Sequence, residues 1–190
     1  MKNEIDLIDI LQLVVKRLKI LKIPYVVTGG VAVSFWGAPR STHDIDIIIE
    51  IDSSKTDKII KLFEKEFYVS REGIESMLEH NISFNIIHNE SGLKIDFWPI
   101  DKNDAHKIAE FKRAISKNIF GEKILMIAPE DLIIVKLQWF KDSDSSRHID
   151  DIKSILRISK VDLEYIKNWA EKHGTTDILN QLIKENKSSY

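Results

Sequence analysis

The chain contains no cysteine, which removes disulfides, thiolate metal sites and cysteine nucleophiles and fits a reducing compartment. No apolar run approaches the roughly 18 residues of a membrane span. The opening segment MKNEIDLIDI carries Glu4, Asp6 and Asp9 where a secretory signal would have a basic flank and an uninterrupted apolar core. The expectation is therefore a cytoplasmic protein with no membrane partner. Its histidines show no HxxxH spacing, so a zinc site is not indicated. A GxSxG elbow and a Walker loop are both missing, which leaves out serine hydrolase and P-loop chemistry. A charge excess is lacking too: 28 basic residues face 30 acidic ones, for a net charge of -2, so bulk charge gives no argument for nucleic-acid binding. One local basic stretch, with Lys107, Lys112, Arg113, Lys117 and Lys123 against Glu110 and Glu122, reads first as a solvated face and second as an RNA contact.

What is present describes a folded protein. Hydrophobic residues make up 43% and charged residues 31% of the 190, the profile of a globular chain with a sizeable core. Apolar positions at Ile5, Ile8, Leu11, Val15, Leu18 and Leu21 predict a first helix that stops before Pro24. YVVTGG reads as a strand entering a glycine turn, VAVSFWG as a short helix, DIDIIIEI as a strand and residues 53–67 as a surface helix, with a shorter helix at REGIESMLEH. SFNIIHNESGLKIDFWPI alternates on both sides of Ser91-Gly92 and predicts a hairpin. A helix over 103–115 and a β-like pair around Gly121-Glu122 follow, and everything from Pro129 onward is helical in period. The four tryptophans lie in apolar segments and read as core.

The chemistry is concentrated in GGVAVSFWGAPRSTHDIDI. Strand side chains alternate, so Asp44 and Asp46 share a face while Ile45, Ile47 and Ile49 occupy the other. Like charges that close repel, and something positive belongs between them. Asp96, between Ile95 and Phe97 in a later strand, projects opposite its apolar neighbours. Three carboxylates on two strands behind a glycine turn form the parts list of a site for magnesium and a nucleoside triphosphate. Mg²⁺ takes oxygen ligands from one or two carboxylates plus phosphates and water. Backbone N–H groups at Gly29 and Gly30, with Thr28 beside them, are placed to hold phosphates, and Arg40 can add a guanidinium fork.

The order of these elements resembles the polymerase-beta-like nucleotidyltransferases, with a GG or GS turn, then DxD, then a third carboxylate in an apolar-flanked strand. GGVAV and PRSTHDIDI are especially similar to the AbiEii-type toxin transferases and to lincosamide and related antibiotic transferases, and the C-terminal PEDLIIVK and RHIDDI resemble the AbiEii pattern. The resemblance implies an α+β fold, a mixed or antiparallel sheet flanked by helices in a catalytic lobe over 1–127, and a helical lobe over 128–190 closing a cleft. It also implies that Lys136 and Asp151 bind nucleotide.

The expected function is transfer of a nucleoside monophosphate from an NTP such as ATP to an acceptor hydroxyl. Two Mg²⁺ ions would be held by Asp44, Asp46 and Asp96. RNA, protein and small molecules all suit as acceptors, and the AbiEii likeness favours a toxin with a cognate antitoxin. The alternative is a catalytically idle nucleotide-binding or antitoxin-like module, against which the three carboxylates argue.

Overall fold

The structure is a computed structural model, and it describes residues 6–187. Ile5, the first apolar position of the predicted N-terminal helix, lies outside the described residues. Helix α1 (Leu7–Ile20) begins at Asp6, whose carboxylate accepts from the Asp9 backbone N–H while Asp9 reciprocates, a capping box that satisfies two otherwise orphaned donors. Its inward stripe of Ile10, Leu11, Val14, Val15 and Leu18 is buried, which is where its stabilisation comes from.

Strand β1 (Tyr25–Thr28) runs directly into α2 (Gly29–Trp36). Strand β2 (Asp44–Ile49) follows, then a single 3₁₀ turn (Ser53–Lys55), α3 (Thr56–Phe63), β3 (Phe67–Val69), α4 (Arg71–His80), β4 (Phe84–His88) and β5 (Lys94–Pro99). Helix α5 (Ala105–Lys112) and the hairpin of β6 (Ile115–Ile119) and β7 (Glu122–Met126) complete this part. The strands form one mixed seven-stranded sheet in the order β3-β4-β5-β2-β1-β7-β6. β2 pairs antiparallel with β1 and parallel with β5. Strand β1 is buried along its whole length, and in β2 Ile45, Ile47 and Ile49 form one almost wholly inaccessible face. The α+β class with a mixed sheet flanked by helices is as the sequence indicates.

Three local expectations are corrected. The helix expected over 53–67 ends at Phe63, and Phe67 opens β3, paired with His88 and packed edge-on against Phe63. A three-residue strand is too short to show its period, so pairing with β4 decides its conformation. The helix expected over 103–115 ends at Lys112, because Ile115 pairs with Met126 in the sheet. None of the four tryptophans is fully buried, and Trp98 is 38% exposed.

The chain divides into two compact units: Met1–Val31 with Ser41–Met126, and Ala32–Arg40 with Ile127–Tyr190. The first holds the sheet. The second contains α6 (Pro129–Ser143), α7 (Ser146–Ile158), α8 (Leu163–His173) and α9 (Thr176–Lys187). Their apolar stripes bury Leu132, Ile133, Ile152, Ile155, Ile166, Ala170, Leu179 and Leu182. Pro129 sits in the first turn of α6, and Gly174 ends α8 in the left-handed conformation. Hydrogen bonds fix Ala32–Arg40 within this unit: Trp36 Nε1 donates to the Ile127 carbonyl at 2.9 Å, Ser159 Oγ to the Trp36 carbonyl at 2.6 Å, and the Ala38 N–H to Ser154 Oγ.

Candidate active site

The register of the sheet brings the expected residues of the first unit together. Across β1 and β2, Thr28 stands opposite Asp46; across β2 and β5, Asp46 stands opposite Asp96, and Asp44 opposite Lys94. Residues in register on neighbouring strands point to the same face with backbones about 4.8 Å apart. Asp46 is therefore central, with Thr28 on one side and Asp96 on the other, and Asp44 lies two residues along on the same face. Ile45, Ile47, Ile95 and Phe97 face the core, and their burial fixes which way the aspartates project.

Each carboxylate has a donor. Thr42 Oγ1 donates to Asp44 Oδ1 at 2.8 Å, Trp98 Nε1 to Asp46 Oδ1 at 3.2 Å, and Lys94 Nζ lies 2.8 Å from Asp96 Oδ2. The hydrogen bond to Asp96, together with the charges of Asp96, Asp44 and Asp46, holds the Lys94 ammonium above its ordinary pKa against a smaller opposing effect of burial. Lys94 thus brings one positive charge to the three aspartates, in contact with Asp96 and within the field of Asp44 and Asp46. Sequence reasoning missed Lys94, Trp98 and Thr42. Two of them were findable from the period of two, since Lys94 and Trp98 flank Asp96 at positions i−2 and i+2 and so share its face.

As they stand, no three His, Asp or Glu side chains among the described residues gather closely enough to hold a metal ion. The chemistry of the donor set nonetheless fits magnesium. The donors are hard oxygens, they lie on adjacent strands at one end of β2, and Mg²⁺ requires only one or two carboxylates when phosphates and water complete its shell.

Gly29 joins β1 to α2 at φ +62°, and a methyl group built on its Cα would overlap the Asp46 carboxylate. The backbone approaches that carboxylate because the residue has no side chain. Gly30 follows as the second residue of α2 and is buried. Gly29→Ala is expected to lower stability by about 1–3 kcal/mol, the cost of a left-handed non-glycine residue with a steric clash added. Urea denaturation at neutral pH measures it; a loss below about 0.5 kcal/mol would mean that Asp46 moves aside at little cost.

In the second unit Arg40, Lys136 and Asp151 form one ion cluster. Arg40 holds Asp151 with a two-pronged contact, Nε to Oδ1 at 2.7 Å and NH2 to Oδ2 at 3.0 Å, and Lys136 Nζ lies 3.0 Å from Oδ2. Asp151 and Lys136 are buried, while the Arg40 side chain retains 24% of its surface. Burial opposes ionisation of Asp151, but the hydrogen bond from Arg40 and the nearby Lys136 charge outweigh it and keep the carboxyl below its ordinary pKa. Lys136 also lies over the Trp139 ring at 5.0 Å, and His148 packs edge-on against that ring. Burial and the Lys136 charge lower the His148 pKa below its ordinary value. Lys136 and Asp151, expected as nucleotide-binding residues, thus meet each other and Arg40.

Solved structures of similar fold include an antigenic nucleotidyltransferase-like protein from Paracoccidioides brasiliensis. It is 19% identical, with 92% of this chain and 90% of that chain covered and a TM-score of 0.60. ANT(2″)-Ia in complex with adenylyl-2″-tobramycin is 12% identical over 87% and 95% of the two chains, with a TM-score of 0.58. The lincosamide antibiotic adenylyltransferase LnuA, lincomycin-bound, is 19% identical over 78% and 96%, with a TM-score of 0.51. At these identities the likeness is one of fold. No curated protein matches the chain. The family described as nucleotidyltransferase of unknown function (DUF6036) matches residues 5–188, and with nearly the whole length covered, the chain belongs to that family.

Proposed function

We propose that the protein transfers a nucleoside monophosphate from a nucleoside triphosphate to an acceptor hydroxyl, with Asp44, Asp46 and Asp96 as the ligands of two magnesium ions. The observation that carries this reading is the register Thr28–Asp46–Asp96, which sets two carboxylates side by side next to the turn at Gly29. When bound, magnesium supplies neutralisation of phosphate charge and acidifies the attacking hydroxyl. In this reading Asp96 serves the acceptor side, and Asp44 and Asp46 serve both ions. Thr28 and the backbone N–H groups of Gly29 and Gly30 bind the outer phosphates. In the second unit Arg40, which keeps part of its side chain exposed, is the candidate nucleotide-binding cation, and the buried Asp151 and Lys136 are its positioning residues.

Two features bear on the acceptor. Relatives in fold include enzymes whose structures hold lincomycin or adenylyl-tobramycin, which speaks for a small hydroxyl-bearing molecule. The motifs PEDLIIVK and RHIDDI, which resemble AbiEii-type toxins, speak for an RNA or protein acceptor and a cognate antitoxin, and we adopt this finer reading. The deciding experiment incubates the protein with each labelled triphosphate, Mg²⁺ and separate pools of RNA, protein and small molecules. Label in RNA or protein supports the toxin reading, and label in small molecules alone replaces it with an antibiotic-type transferase.

Binding has its own test. ATP or another triphosphate at millimolar concentration with Mg²⁺ is expected to raise the melting temperature, since a ligand of the folded state stabilises it by RT ln(1 + [L]/Kd). Triphosphate without metal should do much less. No shift with any of the four triphosphates, together with a calorimetric blank, would favour the idle module.

A further inference from the structure

We propose that Lys94 is a resident counter-ion that competes with magnesium for Asp96, so that the metal-free protein holds its carboxylates together through Lys94 and releases Asp96 when metal and nucleotide arrive together. The inference rests on the reading of Asp44, Asp46 and Asp96 as a metal site, and deepens it.

The placement of Lys94 distinguishes it from an ordinary exposed ion pair, which contributes little. It stands opposite Asp44 across the β2–β5 ladder and two residues before Asp96, so it shares the face of all three carboxylates. Its ammonium lies 2.8 Å from Asp96 Oδ2, where the carboxylate is only 13% exposed, while its own side chain is 45% exposed. That combination gives a well-sheltered acceptor held by a donor free to swing outward. An ammonium at hydrogen-bond distance occupies a lone-pair direction that a metal ion would need, and it reduces the charge of the three-carboxylate group from −3 to −2. Both effects weaken binding of a free divalent cation. A bound triphosphate reverses the balance, because its negative charge offers the displaced Lys94 arm a new partner. Lys94 thereby makes metal entry dependent on nucleotide.

The test uses Mn²⁺ as the probe, by calorimetry and by the electron paramagnetic resonance signal of the free ion, without nucleotide and then with ATP. The proteins are wild type, Lys94→Met, Lys94→Gln and Lys94→Arg, each verified as folded by circular dichroism. Removing a unit charge in contact with a ligand oxygen, on a side chain that is itself half exposed, is worth about tenfold in affinity. Lys94→Met and Lys94→Gln should therefore bind Mn²⁺ alone about tenfold more tightly than wild type. Lys94→Arg, which keeps the charge, should stay within about threefold of wild type on the same scale. The two neutral variants should also melt lower without metal and gain more from Mn²⁺ than wild type does. Should Lys94 be a structural surface pair, the neutral variants would bind Mn²⁺ no more tightly than wild type while wild type still bound it with ATP; that result overturns the proposal and leaves the metal site standing. Absence of Mn²⁺ binding in every protein, with or without ATP, would overturn both. If Lys94→Met does not fold, Lys94→Gln carries the comparison.

Discussion

Asp151→Asn is expected to destabilise the protein by about 3–5 kcal/mol, the scale observed when one partner of a buried ion pair is removed. Asp151 and Lys136 are buried, and Arg40 spends two of its nitrogens on the same carboxylate. An asparagine can still accept hydrogen bonds, but it leaves two cations facing each other without their shared anion. A double variant, Asp151→Leu with Lys136→Met, should recover much of the loss, because exchanging a buried ion pair for apolar groups of similar volume is often neutral. The pH dependence has a definite sign. The native-state pKa of Asp151 lies below its ordinary value of 3.8, so its stabilisation is complete above the ordinary aspartate range and is lost as pH falls through the lowered native value. Wild type should therefore weaken below about pH 4 more than Asp151→Asn does. Chemical denaturation at pH 7 and pH 3 checks both statements. A loss below about 1 kcal/mol at pH 7 would show that the cluster relaxes without cost.

Asp96→Asn is expected to keep most of the affinity for Mg²⁺-nucleotide while lowering turnover at least about 100-fold, the scale on which removal of a transition-state charge stabiliser is felt. Asp44→Asn should lose binding and turnover together. The difference follows from the proposed roles: Asp44 serves both ions, whereas Asp96 serves the one that acidifies the acceptor. Because Asp96 is held by Lys94, its replacement should leave the melting temperature of the metal-free protein unchanged or slightly lower. Calorimetric affinity beside label transfer for the two variants separates the roles. Wild-type transfer by Asp96→Asn would remove it from the site.

The sequence and the structure agree best where period and burial coincide. The alternation in DIDIII and KIDFWP states which face each aspartate takes, and Ile45, Ile47, Ile95 and Phe97 enforce it by their burial. The positive φ of Gly29 and its close approach to Asp46 have the same source, a glycine pair between an apolar strand and an apolar helix. Register lies beyond a single strand: that Asp46 stands beside Asp96 depends on β2 and β5 pairing in parallel, a choice made by the whole sheet. β3 escaped notice because three residues cannot display a period. Trp98 looked apolar by composition, yet its place two residues after Asp96 puts the indole on the polar face, where its N–H meets Asp46. The ion cluster shows a different limit. Arg40 and Asp151 are 111 positions apart, and the sequence offers each as a separate nucleotide contact with nothing local to pair them. Only the packing of Ala32–Arg40 with the C-terminal helices joins them.

Transfer of label from an α-labelled triphosphate into an acceptor pool, measured for wild type and Asp46→Asn with and without Mg²⁺, tests the central claim most directly. Asp46 is the carboxylate flanked by both Thr28 and Asp96, and its replacement by asparagine changes charge with little change of shape. The account predicts magnesium-dependent labelling by wild type that falls at least about 100-fold in Asp46→Asn, with the variant still folded. Equal labelling by the two proteins, or no label from any of the four triphosphates in any pool, would contradict it.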